Sequence, residues 1–162
     1  MSRTIRDLPV PGRTILEVRA HLLQWLRSKE FLLIDVDSEG SAVRFPFGII
    51  SLLLHPVPGD SVALRPRASG AIAMEYRFFT KDDRTVVHVE AYAAGAGPWS
   101  GHEWALSEEW HFMAGYPRHQ GFQVLQELEQ DLREFADATN APTTSSLPNG
   151  AMPAGSTAPG DH

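Results

Sequence analysis

Residues 71–92 read AIAMEYRFFTKDDRTVVHVEAY. Ile72, Met74, Tyr76 and Phe78 alternate with Glu75 and Arg77, and Val87, Val89 and Ala91 alternate with His88, Glu90 and Tyr92. A period of two is what a β-strand imposes, because successive side chains leave on opposite faces. Lys81-Asp82-Asp83-Arg84 between the two runs is a polar turn of hairpin type. Working outward, Leu32, Ile34 and Val36 alternate with Leu33, Asp35 and Asp37. A Ser38-Glu39-Gly40-Ser41 turn follows, and then Val43, Phe45 and Phe47 share a face. Ile49–Leu54 is almost wholly apolar and reads as a strand buried on both faces. Pro56-Val57-Pro58-Gly59-Asp60 ends it. Ser61–Arg67 reads as a shorter, more exposed strand. Hairpin-length connections throughout argue for an antiparallel sheet.

Helical signals flank this region. Thr4–Val10 reads as a first strand, broken by Pro11-Gly12. Thr14-Ile15-Leu16-Glu17 is a capping box, in which hydroxyl and carboxylate satisfy amides the helix start leaves unpaired. Ile15, Val18, Leu22, Trp25 and Leu26 then fall on one face of a helix running to about Lys29. Gly95–Pro117 is a Gly- and aromatic-rich connection holding Trp99, Trp104 and Trp110, with a short helix expected over Glu108–Met113 after a Ser107 cap. Gly121–Ala138 is a second long helix with the stripe Phe122, Leu125, Leu128, Leu132 and Phe135. The reading is an α+β domain over residues 1–138, with about six antiparallel strands against a long C-terminal helix and an N-terminal amphipathic helix. Residues 139–162 are dominated by Pro, Ser, Thr, Gly and Ala, too polar to offset the entropy of ordering, and are expected to be a disordered tail.

With 162 residues, 43% hydrophobic and 21% charged, the chain has the composition of one globular domain. No apolar run approaches the ~18 residues of a spanning helix, and the N-terminus lacks a signal peptide's apolar core. Zero Cys rules out disulfides, thiolate zinc sites and a Cys nucleophile, and fits a reducing cytoplasm. A net charge of -6 disfavours nucleic acid. Residues 1–30 are nonetheless basic, through Arg3, Arg6, Arg13, Arg19, Arg27 and Lys29, while the last helix is acidic.

The order strand, helix, antiparallel strands, long amphipathic helix resembles the START-like helix-grip superfamily of polyketide cyclases, lipid-transfer proteins and related carriers. The resemblance spans residues 3–138 and rests on element order and helix amphipathicity. It implies a curved sheet gripping the last helix around an apolar cavity, with an apolar or amphipathic small molecule as ligand and no cofactor. Lining candidates are Phe45, Phe47, Met74, Tyr76 and Phe78 from the sheet, Phe122, Leu125 and Leu132 from the helix, and Trp110 from the connection. The same residues serve plain core packing equally well. Tyr76 stands out, since a buried phenol needs a partner.

Two polar groups carry potential chemistry. His88 and Glu90 share a strand face with Tyr92 and have the residue types for acid–base work near neutral pH, with Tyr76 as a third catalytic candidate. They also suit a polar outer face. Glu108 and His111, three apart, share a helix face as in di-metal carboxylate sites, with His102 near by. Such sites need that motif from two helices, however, and the chain has one. Asp35-x-Asp37-x-Glu39-Gly40 imitates a calcium loop until Pro46 takes the closing position. Gly95-Ala-Gly97 is not followed by the third Gly of a dinucleotide fingerprint, and no Gly-x-Ser-x-Gly exists. The alternative to a ligand carrier is an interaction protein in which the Trp99/Trp104/Trp110 loop buries itself on a partner or a second copy, because tryptophan dominates interfaces.

Overall fold

The computed structural model describes residues 3–34, 41–45, 48–52, 61–67, 70–110 and 115–140. Their order is β1 (Thr4–Val10), α1 (Ile15–Ser28), β2 (Leu32–Ile34), β3 (Ser41–Phe45), β4 (Gly48–Leu52), β5 (Ser61–Arg67), β6 (Gly70–Lys81), β7 (Arg84–Gly95), a 3-10 turn (Gly97–Trp99), β8 (Glu103–Ala105) and α2 (Gly115–Asn140). Six strands form one antiparallel sheet in the order β1-β7-β6-β5-β2, with β8 also on β7, while β3 and β4 pair with each other. The class is α+β, with α2 packed on the sheet and α1 beside it, as the pattern of periods predicts.

The β6–β7 hairpin is the spine. Asp82 and Asp83 have φ of 50° and 57°, the double left-handed backbone that matches a two-residue turn to strand twist. That turn sets Glu75 opposite Glu90 and Arg77 opposite His88. β1 pairs with β7 from Thr4↔Ala91 to Val10↔Thr85, and β8 continues along the same edge from Tyr92↔Ala105 to Ala94↔Glu103. The Leu106 N–H donates to Thr4 Oγ1 at 3.0 Å where the two strands meet.

Alternation gives the sheet two different faces. Leu8, Val10, Ala63, Ile72, Met74, Tyr76, Val87, Val89 and Ala91 face both helices and join Val18, Leu22, Leu26, Leu125, Leu128 and Leu132 in one buried cluster. Burying each such leucine or valine contributes roughly 1.5–3 kcal/mol. Helix α1 begins at the expected capping box, in which the Glu17 amide donates to Thr14 Oγ1 and the Thr14 amide donates to Glu17 Oε2. The two helices are tied together at Phe135. Arg13 lies 4.1 Å over its ring, His21 stacks on it at 4.0 Å, and His21 Nε2 sits 2.6 Å from Asp131. The second face carries Val62, Leu64, Ala71, Ala73, Tyr92 and Ala94, covered by Ile50 of β4.

Several expectations change. Val62, Ala63 and Leu64 are buried, so β5 is an interior strand and not an exposed one. Ile50 is buried but Ile49 is 43% exposed, because β4 lies over the sheet with one side to solvent. Residues 107–110 are not helical, while 103–105 form a strand on the edge β1 leaves open. Helix α2 starts six residues before Gly121, with Pro117 in its first turn, where a missing amide hydrogen costs nothing. Among the described residues no helix is long and apolar enough to cross a membrane. Phe47, His111, the turns at 38–40 and 56–60, and residues 141–162 of the expected tail lie outside the described residues, as does the side chain of Phe45.

Candidate functional site

Six of the lining candidates, Met74, Tyr76, Phe78, Phe122, Leu125 and Leu132, belong to or pack against one hydrophobic cluster on the helix-facing side. Met74 is 1%, Tyr76 4% and Leu125 2% exposed, with Leu132 at 1% and Phe78 and Phe122 packed against the same cluster. The Tyr76 hydroxyl finds its partner in Ser61, directly opposite on β5, and burial raises its pKa. Trp110 is not with them; it lies 60% exposed on the connection.

The other sheet face brings His88 and Glu90 into a charged row. Strand parity places Asp7, His88 and Arg77 side by side across β1, β7 and β6, with Glu90 and Glu75 in the next row. His88 Nδ1 donates to Asp7 Oδ1 at 2.6 Å, and its Nε2 faces Glu90 Oε1 across 3.5 Å. Arg3, just before β1, closes the end of the row. Its Nη1 reaches Glu90 Oε2 at 3.1 Å and Glu75 Oε1 at 2.9 Å. Its Nε and Nη2 form a fork on Glu103 of β8 at 3.0 and 3.2 Å. The guanidinium lies 4.3 Å over the Tyr92 ring, whose hydroxyl donates to Glu75 Oε1 at 2.9 Å. Arg3, Glu75 and Glu103 are sealed at 8, 4 and 0% side-chain exposure, whereas Glu90 keeps 22% and His88 15%. Solvent therefore meets the row at Asp7, whose side chain is 56% exposed, and at His88 and Glu90, which share a shallow depression with Glu75, Tyr76 and Arg77.

Burial and charge pull the two facing carboxyls apart. Burial raises the Glu75 pKa and outweighs the charge of Arg3 and the Tyr92 hydrogen bond. Burial also pushes Glu90 up, but hydrogen bonds from Arg3 and His88 and their charges outweigh it, and the net shift is downward. Burial, then the charge of Glu75, raises the Tyr92 phenol. A pair with one carboxyl moved toward the acid and its neighbour toward the carboxylate suits proton donation and acceptance.

Asp7 also borders a groove of about 340 Å³ between the edge of β1 and α2, with Leu8 and Leu132 as floor and Arg6, Pro9, Glu129 and Arg133 as walls. Arg6 Nε pairs with Glu129 Oε1 at 3.2 Å across it. That volume lies within the range of small-molecule sites.

Of the metal candidates His102, Glu108 and His111, the last lies outside the described residues. His102 Nδ1 lies 3.2 Å from the Trp99 carbonyl, and the Glu108 carbonyl, in a non-helical bend, accepts from His119 Nδ1 at 2.7 Å. Glu103, adjacent to His102 in sequence, turns inward to Arg3. Among the described residues no group of three His, Asp or Glu side chains could hold a metal ion. The sequence reading missed Arg3, Asp7, Glu75 and the role of Glu103. The two-residue turn at 82–83 already implies that Glu75 faces Glu90. Nothing local indicates that β1 and β8 would bring Arg3 and Glu103 to the same row. Comparison of the chain with protein-family models, curated proteins and solved structures finds no match.

Proposed function

We propose that this protein binds an amphipathic small molecule in the groove between β1 and α2, which Asp7 of the charged row borders. The observation that carries the reading is the groove itself: an apolar floor of Leu8 and Leu132 under charged walls, sharing Asp7 with the row. Leu8 and Leu132 would meet the apolar body, and Arg6 and Arg133 a polar or acidic end. The helix-grip resemblance supports the same region, because it places the ligand between the sheet and the last helix. The close packing around Met74 and Leu125 favours the margin of that layer over its interior. An enzymatic version would act through Asp7, the member of the row that borders the groove, with His88 as its hydrogen-bond partner. The test is a native mass spectrum of gently purified full-length chain against its denatured mass. Wild type should retain an added mass of roughly a few hundred daltons, and Arg133→Glu should lose it. If wild type carries no added mass and its Tm ignores octanoate, decanoate and dodecanoate, the groove reading fails.

A second reading has its own observation. Trp99 is 59% and Trp110 60% exposed. Trp99 meets His102 edge-on and His102 stacks on Trp104, both at 5.9 Å between ring centres. Exposed aromatic surface of this kind suits an interface with a second copy of the chain. The same spectrum decides it: a dimer that becomes monomeric in the Trp99→Ala/Trp110→Ala double variant supports self-association, and a monomer at all concentrations excludes it.

A further inference from the structure

On the far side of α2 from the groove, β5 and α2 enclose a second cleft of about 170 Å³, lined by Arg65, Arg67, Gln120, Gln123, Val124 and Glu127. Arg65 and Arg67 are two apart on β5 and so project on the same, helix-facing side, in register with Ile72 and Gly70. Arg67 is held in place: its Nε donates to Gln120 Oε1 at 2.6 Å and its Nη1 to the Pro66 carbonyl at 2.9 Å. Gln123 Nε2 donates to His119 Nε2 at 3.1 Å, since His119 Nδ1 already donates to the Glu108 carbonyl. The acidic group at the rim, Glu127, accepts from Lys29 Nζ at 2.6 Å. Arg65 is different. Among the described residues its Nε is buried without a hydrogen-bond partner.

A sealed guanidinium N–H left unmatched is costly, and buried polar atoms in folded proteins nearly always have a partner. The pairing of Glu127 with Lys29 leaves the cleft, among the described residues that line it, with two arginines and no unmatched carboxylate, in a chain whose net charge is -6. The planar donor fork of an arginine matches the two oxygens of a carboxylate or phosphate. We propose that this cleft is a binding site for a small oxyanion, a carboxylate or phosphate group, seated on Arg65 and flanked by Arg67. Gln120 commits its oxygen to Arg67 and retains its amide NH₂ as a further donor. The cleft has room for several waters and so for a single anionic group beside Arg65.

The test follows the arginine Nε–H signals by proton–nitrogen NMR on the full chain, titrating sodium phosphate or sodium acetate against sodium chloride at constant ionic strength. The Arg65 Nε signal should move saturably with phosphate, and Arg65→Gln should weaken the half-saturation point by about tenfold or more, as loss of a charge-assisted bidentate contact does. Arg65→Lys, which keeps the charge and loses the fork, should fall between. A saturable response to acetate as well would identify a general oxyanion site, and a response to phosphate alone a phosphate site. A shift that never saturates, or that chloride reproduces, overturns the proposal. If Arg65→Gln does not fold, the wild-type Arg65 signal, assigned through its bonds, decides alone.

Discussion

Glu75 and Glu90 face each other across two strands, yet their carboxyls respond to pH in opposite directions. Burial raises Glu75 above its ordinary 4.5, so the folded chain holds this proton more tightly than the unfolded chain. Its contribution to folding is complete below about 4.5 and fades as pH rises through the raised value. Glu90 is held below 4.5. Its contribution is present above that value and is lost as pH falls through the lowered one. Glu75→Gln keeps an acceptor for Arg3 and Tyr92 but cannot ionise, and it leaves Arg3 facing two carboxylates instead of three. Urea unfolding followed upward from pH 4.5 should show a wild-type stability that declines relative to that of Glu75→Gln, whose profile is flatter and at least equal at the upper end. A constant deficit of the variant across that range would mean that Glu75 is ionised throughout and that its charge is what Arg3 needs. Glu90→Gln should behave in the reverse sense, losing stability relative to wild type at neutral pH and matching it in acid.

At the scale of elements, the segment after β7 depends on one close approach. A Cβ on Gly95 would run into the Trp99 carbonyl oxygen and come within 3.0 Å of the Trp104 ring edge. The carbonyl belongs to the backbone and has little freedom to move. Gly95→Ala should therefore cost about 1–3 kcal/mol and shift the tryptophan emission, because the 3-10 turn must move off the end of β7. An unchanged spectrum and Tm would mean that the turn is not fixed by this contact. The same stretch marks how far the sequence could be read. Strong local signals were legible: the period of two in β6 and β7, the capping box of α1, the apolar stripe of α2, and even the facing of Glu75 and Glu90, which follows from a two-residue turn. β8 was not legible. Three residues, Glu103–Ala105, show no alternation of their own and become a strand because β1 leaves the end of the β7 edge open. The site divided in the same way. His88 and Glu90 stood out on one strand, whereas Arg3 and Glu103 meet one hundred residues apart in sequence through sheet order alone.

At the scale of the molecule, the chain has two cores of unequal support. The helix-facing core is gripped by both helices and four strands of the main sheet. The opposite core is closed by the two-stranded β3–β4 pair, which among the described residues pairs with no strand of the main sheet. A lone two-stranded hairpin is marginal in water, so its order rests on side-chain burial against β7, with Ile50 at 0% exposure as the anchor. Local stability should therefore divide along this line. In native-state hydrogen exchange, amides of 41–52 should exchange through openings of lower free energy than those of β6 and β7. Ile50→Ala removes a fully buried side chain, a change that typically costs about 2–5 kcal/mol. If the hairpin opens alone, exchange in 41–52 should accelerate about tenfold or more, while amides that face α2 across β6 and β7 hold their rates. If Ile50→Ala instead lowers protection everywhere by the same amount, the two cores unfold as one. The hairpin is then as integral to the fold as the helices, and both faces of the sheet belong to a single cooperative unit.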